Sequence, residues 1–222
     1  LEIMDLYLEY KKKGAKRSEF LKAVSQIEGA YVPSLYDVSY NQDGTINSVT
    51  SKHNAPAVVT KRYIKDMDSV YYPDNFVVPF TDIVHNRVSV EVLRGCTRGC
   101  RFCQAGMIYR PVRERSKDKI IQLATEQIAN TGHEELSLLS LSTSDYSRFE
   151  DLATELMGIC RQQNVALSLP SLRLDTFSFN VLNEIQKYRK SGLTFAPEAG
   201  SQRLRDIINK NIKEEDIYSA VE

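Results

Sequence analysis

Three cysteines, Cys96, Cys100 and Cys103, fall within eight residues of the run Arg94-Gly-Cys-Thr-Arg-Gly-Cys-Arg-Phe-Cys-Gln-Ala-Gly-Met-Ile-Tyr109. Thiolates are soft ligands that select zinc, copper(I) or iron–sulfur clusters. The three lie too close along the chain to pair sensibly with one another as disulfides. The first ten residues carry acids and no basic run, so they do not form a secretory signal, and a metal or cluster centre in a reducing cytoplasm is the better reading. A structural zinc site wants four protein ligands, and the histidines nearest in sequence are His85 and His133. An all-protein [4Fe–4S] cluster takes four cysteines. Three would leave one iron open to a cofactor or substrate. Gly95, Gly99 and Gly106 let the backbone fold tightly round a bulky group, and Arg94, Arg98 and Arg101 would set positive charge beside an anionic one. A non-catalytic iron–sulfur or zinc module for electron transfer or assembly stays open at this point. It requires a fourth ligand from His85, His133 or an acid.

The elements that must hold this loop show a change of pattern near Asn86. Before it, residues 1–13 read as a helix stopped by Gly14, and Ser18 reads as the N-cap of a second helix carrying Phe20, Leu21, Val24 and Ile27 up to Gly29. Tyr36, Val38 and Tyr40, then Asp43-Gly44, then Ile46 and Val49 make a hairpin signal. A strand is expected at Val58-Val59. After Asn86 the chain repeats strand then helix. Strands are expected over 87–93, 136–142, 165–169 and 193–197. Their helices are expected from Lys117 to about Asn130, over about 148–163, after Ser178 (Val181, Leu182, Ile185, Tyr188, with Gly192 as stop) and after Ser201, with one more helical run from near Lys213. Cys160 falls on the apolar stripe of the second of these helices and reads as core.

Successive β-then-α units imply parallel strands joined by right-handed crossovers and lying in sequence order. The fold class expected is α/β: a partial parallel (β/α) barrel, truncated after about four units, with an N-terminal helical and hairpin lead-in. Residues 1–29 read as a helical linker or the tail of an upstream domain, 30–85 as an antiparallel or irregular lead-in, and 86–222 as the N-terminal part of the barrel. The chain lacks an initiator Met and stops while the pattern is still running, so it reads as a fragment, with dimerisation a way to cover the open strand edge. Sites in such folds form at the carboxyl ends of the strands. Here those loops are 94–116, 142–147, 170–178 and 196–201. They carry the cysteines, Ser142-Thr143-Ser144-Asp145, Ser171-Leu172-Arg173 and Pro197-Glu198-Ala199-Gly200-Ser201. Plainer roles are expected beside these. Glu198 and Arg173 would make a rim ion pair, Phe102 would pack under the loop, and Arg113, Arg115 and Lys117 would form a solvated turn.

The Cys96-Thr-Arg-Gly-Cys100-Arg-Phe-Cys103 stretch resembles the CxxxCxxC signature of the radical S-adenosylmethionine (radical SAM) superfamily, and Phe102 also matches. The turn Pro197-Glu198-Ala199-Gly200-Ser201 is similar to a Glu-Ser-Gly-type turn of one branch. The longer string from Arg94 to Gly106 resembles a branch associated with an upstream cobalamin-binding-like domain, although no Asp-x-His-x-x-Gly motif occurs here. The resemblance covers about residues 86–222. It implies a [4Fe–4S] cluster ligated by Cys96, Cys100 and Cys103, whose open iron chelates S-adenosyl-L-methionine. Reductive cleavage would then give a 5′-deoxyadenosyl radical that abstracts hydrogen from an unknown substrate. It also implies that Phe102 lies near the adenine. Ser142 and Thr143 stand where the family has a Gly-Gly-Glu turn for the amino group, and Glu198 and Arg173 would reach the ribose or methionine end. An electron donor is the implied partner.

Composition excludes other classes. Lys+Arg and Asp+Glu are each 29, a net charge of zero, which gives no whole-chain signal for nucleic acid. RNA modification, suggested by analogy with relatives, gains no support from it. No 18-residue apolar run occurs, so no membrane helix is expected.

Overall fold

Leu6, Phe20 and Leu21, apolar positions on two successive helical patterns, pack on a small core of Val24, Val32, Leu35, Tyr36 and Ala55. In the computed structural model, which describes residues 1–176, 181, 184 and 195–221, the chain divides into two units, Leu1–Ile64 and Lys65–Glu222. The lead-in expected over 30–85 is thus divided between them. The first unit holds helices α1 (Glu2–Lys12) and α2 (Arg17–Val24), then the antiparallel hairpin β1 (Tyr36–Tyr40) and β2 (Ile46–Ser51). The Asp43 carboxylate accepts the Thr45 N–H at 2.9 Å and closes the turn.

Two expectations for this unit need correction. The α2 helix starts one residue before Ser18, because the Glu19 carboxylate reaches back to accept the Lys16 N–H at 3.0 Å. That leaves Ser18 inside the first turn, and the helix ends at Val24, short of Gly29. No strand forms at Val58-Val59, where Val58 is exposed and Val59 packs on the small core.

The second unit is built on a parallel sheet in the order β3 (Val88–Glu91), β6 (Glu135–Leu139), β7 (Ala166–Ser168), the expected sequence order. Alternation puts Val88 and Val90 on the buried face, where helices α4 (Lys117–Thr131) and α5 (Phe149–Gln163) cover the sheet. Ile120, Leu123 and Ala124 of α4 and Leu152, Leu156 and Cys160 of α5 fill that layer. Burial of the Cys160 thiol pushes its pKa up to about 11, as suits a core residue. Ser116 caps α4, its hydroxyl accepting the Lys119 N–H at 3.2 Å, and Gly132 ends the helix in the left-handed conformation.

The first strand is shorter than expected. It breaks at Val92, and Leu93–Arg94 (β4) leaves the sheet to pair antiparallel with Arg113–Glu114 (β5). This two-stranded clasp closes the base of the cysteine loop, which also contains a one-turn helix, α3 (Ala105–Ile108). Neither was foreseen.

Residues 65–85 have no regular structure but are tied to the sheet and α4. Tyr72 Oη donates to Ser89 O at 2.6 Å, Gln127 Nε2 donates to Pro73 O at 2.6 Å, and Phe76 stacks on His133.

The fourth expected unit is only partly described. Residues 193 and 194 lie outside the described residues, and 195–198 carry no strand. Of the helical stripe after Ser178, Val181 is helical and buried, whereas Leu182, Ile185, Tyr188 and Gly192 lie outside the described residues. The helices after Ser201 and Lys213 are present as α6 (Gln202–Ile207) and α7 (Glu214–Val221), α6 with Ser201 as its cap. Three described parallel strands with crossover helices make a partial β/α fold. No helix among the described residues is long and apolar enough to cross a membrane.

Candidate functional site

Cys96, Cys100 and Cys103 are free thiols, each half-buried, in the loop that leaves the carboxyl end of β3. Gly95 makes the turn into it. Its φ is +98°, and a Cβ there would stand 2.8 Å from Tyr109 O and 3.0 Å from Pro111 O, so the two arms of the loop touch at this residue. Cys103 N–H then donates to Cys100 O at 3.0 Å, tightening the C-terminal half. Among the described residues, no three His, Cys, Asp or Glu side chains converge on a point where they could hold a single ion. A cluster would take each thiolate on its own iron, so convergence of the three on one point would not be required of them. His85 bonds Arg87 at 3.2 Å, and His133 is buried against the Phe76 ring.

Two of the loop's arginines, Arg94 and Arg98, have their charge met by acids, whereas the Arg101 guanidinium bonds a backbone carbonyl and keeps its charge. Arg94 forms a two-toothed pair with Glu91, at 2.8 and 2.7 Å. Arg98 donates Nε to Asp145 Oδ2 at 2.8 Å and Nη1 to Asp175 at 3.0 Å, joining the first rim loop to the second and third. The hydrogen bond to Asp145 raises the pKa of Arg98, although burial opposes it. Burial also acts to raise that of Asp145, but the hydrogen bond from Arg98, the nearby Ser142 hydroxyl and the charges of Arg98 and Arg173 outweigh it and lower the pKa. Arg101 donates its N–H to Ile208 O at 2.9 Å and its guanidinium to Ile207 O.

The other sequence-expected residues divide sharply. Ser142 is 2% exposed, and its Oγ, close enough to Asp145 to influence it, has no partner in good hydrogen-bonding geometry among the described residues. Thr143 is wholly buried, its hydroxyl donating to Pro170 O at 2.8 Å and shared with Ser140, so it ties two rim loops together. Arg173 and Glu198 do not form the rim pair expected. Arg173 binds Asp175 at 2.9 Å and Lys210 O at 2.8 Å, and Glu198, with φ +68°, pairs with Lys210 Nζ at 3.2 Å. Phe102 does not pack under the loop. It is 55% exposed, with Lys210 Nζ 6.0 Å from its ring centroid.

The solvated turn expected at Arg113, Arg115 and Lys117 is also overturned at its centre. Arg115 is 1% exposed, bonded to Glu91 O at 3.2 Å and to Met67 O, with Tyr72 5.1 Å below its guanidinium. Lys117 pairs with Glu155 at 2.6 Å.

Sequence reasoning missed Asp175, Asn209 and Lys210. Asn209 and Asn211 both adopt positive φ, and the Asn-Lys-Asn run just past a short helix was the available signal of a structured turn. A cavity of about 290 Å³ lies beside the loop, lined by Glu91, Arg94, Tyr109, Leu139 and Leu141 among others.

The family model described as Radical SAM superfamily matches residues 90–222. A protein of Methanocaldococcus jannaschii, "Uncharacterized protein MJ0966", is 30% identical over 200 residues, covering 90% of this chain and 43% of the relative. The chain therefore spans less than half of that relative's length.

Proposed function

Because the chain belongs to the radical SAM superfamily, we propose that it is part of an iron–sulfur enzyme whose cluster is held by Cys96, Cys100 and Cys103. The observation that carries this reading is the arrangement of donors: three free, half-buried thiols in one loop at the carboxyl end of a parallel strand. When bound, a [4Fe–4S] cluster with one open iron supplies the electron that cleaves S-adenosyl-L-methionine to a 5′-deoxyadenosyl radical, which takes hydrogen from a substrate not yet identified.

The chain's own residues bind and orient. The three thiolates would hold the cluster, and the Gly95 turn lets the two arms of their loop close at the β4–β5 clasp. Ser142, buried with an unsatisfied hydroxyl, is the group of the second rim loop that would meet the cofactor's polar end. Thr143 instead braces that loop. Phe102 offers an exposed ring for stacking on the adenine. Glu198 remains a candidate for the ribose or methionine end, since it is partly exposed and its pair with Lys210 lies at the rim. Arg173, held by Asp175 and Lys210 O, would act by shaping the rim. The working setting is a reducing cytoplasm with a separate electron donor. Residues 1–29 and 30–85 would link an upstream domain, of a cobalamin-binding-like kind, to the barrel.

The test is 5′-deoxyadenosine formation by the protein, anaerobically with a strong reductant and S-adenosyl-L-methionine. Product is expected from the parent and none from Cys96→Ala, Cys100→Ala or Cys103→Ala. Product that survives those substitutions would sink the assignment.

A further inference from the structure

The middle cysteine is pinned from a distance. Asn209 Nδ2 donates to Gly99 O at 3.0 Å and to Arg98 O at 3.4 Å, the two carbonyls just before Cys100. Arg101 N–H, just after Cys100, donates to Ile208 O at 2.9 Å. The turn that follows α6 thus grips the peptide on both sides of one thiol. Among the described residues, no hydrogen bond from that turn reaches the residues flanking Cys96 or Cys103: Cys103 is held locally, by Cys100 O, and its neighbour Phe102 meets the turn only through Lys210 Nζ, 6.0 Å from the ring centroid.

The turn is built to present this side chain. Asn209 has φ +56° and Asn211 φ +55°, conformations that asparagine tolerates better than other side-chain-bearing residues. Behind it, the buried Arg205 donates to Ile212 O at 2.9 Å and Ala199 O at 2.9 Å, and Lys210 N–H donates to Arg205 O at 2.9 Å. On the other side, a Cβ on Gly99 would stand 3.7 Å from Asn209 Nδ2, so the amide lies directly against the cysteine loop.

We propose that Asn209 is a positioning residue for the cluster, fixing Cys100 by donating its side-chain amide to the carbonyls of Arg98 and Gly99. This rests on the cluster reading of the three cysteines for its purpose but not for its geometry. The donor, not the backbone conformation, is the active part. Asn209→Gly keeps a residue at ease at positive φ and removes the donor. Asn209→Asp keeps the shape and sets carboxylate oxygens against carbonyl oxygens.

The experiment is residue-resolved alkylation of the cluster-free protein, read by mass spectrometry, with urea unfolding of the same samples. In Asn209→Gly and Asn209→Asp, Cys100 is expected to react about tenfold faster than in the parent, about 1.4 kcal/mol. Cys96 and Cys103 change less, and the unfolding midpoints stay close to the parent's. Equal Cys100 rates in parent and variants, or a uniform rise at all three cysteines, overturn the proposal. Anaerobic loading with iron and sulfide then separates it from the functional reading. Faster loss of iron to a chelator from both variants supports the positioning role. A parent that takes up no iron, beside a selective rise at Cys100, leaves the positioning in place and overturns the cluster as its purpose.

Discussion

Arg98 lies between Cys96 and Cys100, yet its guanidinium is committed to Asp145 and Asp175 on two other rim loops. Removing one partner of a largely buried pair costs more than the pair contributes, because the remaining charge stays desolvated. Arg98→Ala strands Asp145, while Asp175 keeps its pair with Arg173, and is expected to cost about 3 kcal/mol, more than Asp145→Asn, by urea unfolding. An Arg98→Ala protein as stable as Asp145→Asn contradicts the shared-partner geometry. The pH dependence follows from the lowered pKa of Asp145, whose ordinary value is 3.8. A depressed folded pKa contributes stability that is fully present above the unfolded value and lost as pH falls through the folded one. The parent should therefore lose stability relative to Asp145→Asn as the pH drops below about 4, with no such divergence between pH 5 and 7. At this scale the thiols were legible in the sequence, because spacing alone marks them. The destinations of Arg98, Arg115 and Arg173 were not, since each is set by groups brought near only by folding.

Among the elements, the β4–β5 clasp and the Gly95 turn give the cysteine loop its shape. Gly95→Ala places a Cβ against Tyr109 O and Pro111 O in a conformation that already costs a side chain about 1–3 kcal/mol. Its expected result is a protein with parental far-UV circular dichroism that retains little iron after anaerobic loading. Full iron retention would mean that the loop can open without loss. The helices that frame the site were readable where local signals agree with packing. α4 starts at Lys117 as expected and ends within a residue of the expected Asn130, and the stripe of Leu152, Leu156 and Cys160 marks α5. Reading failed where a side chain moved a boundary, as Glu19 does for α2, and where a strand had to leave its sheet, as at Val92. The grip of Asn209 on Gly99 spans 110 residues of chain, and no local pattern encodes it.

For the molecule, the parallel order β3, β6, β7 and the carboxyl-end position of the loops follow from repeated β/α units, and both were legible. The particular contacts that hold residues 65–85, the Tyr72 hydroxyl on Ser89 O and its ring against the Arg115 guanidinium, were not, because each joins groups distant in the sequence. Arg115→Met removes a buried donor from Met67 O and Glu91 O and is expected to destabilise that unit by about 2–4 kcal/mol. A loss under 0.5 kcal/mol would show that the segment does not depend on it. The central claim, that three thiols in a tight loop hold a cluster with one open iron, is tested most directly by anaerobic reconstitution with iron and sulfide, followed by addition of S-adenosyl-L-methionine. The account predicts about four irons per chain and a change in the electron paramagnetic resonance spectrum of the reduced cluster when the cofactor is added. Tight zinc in place of iron, or a spectrum indifferent to the cofactor, would contradict it.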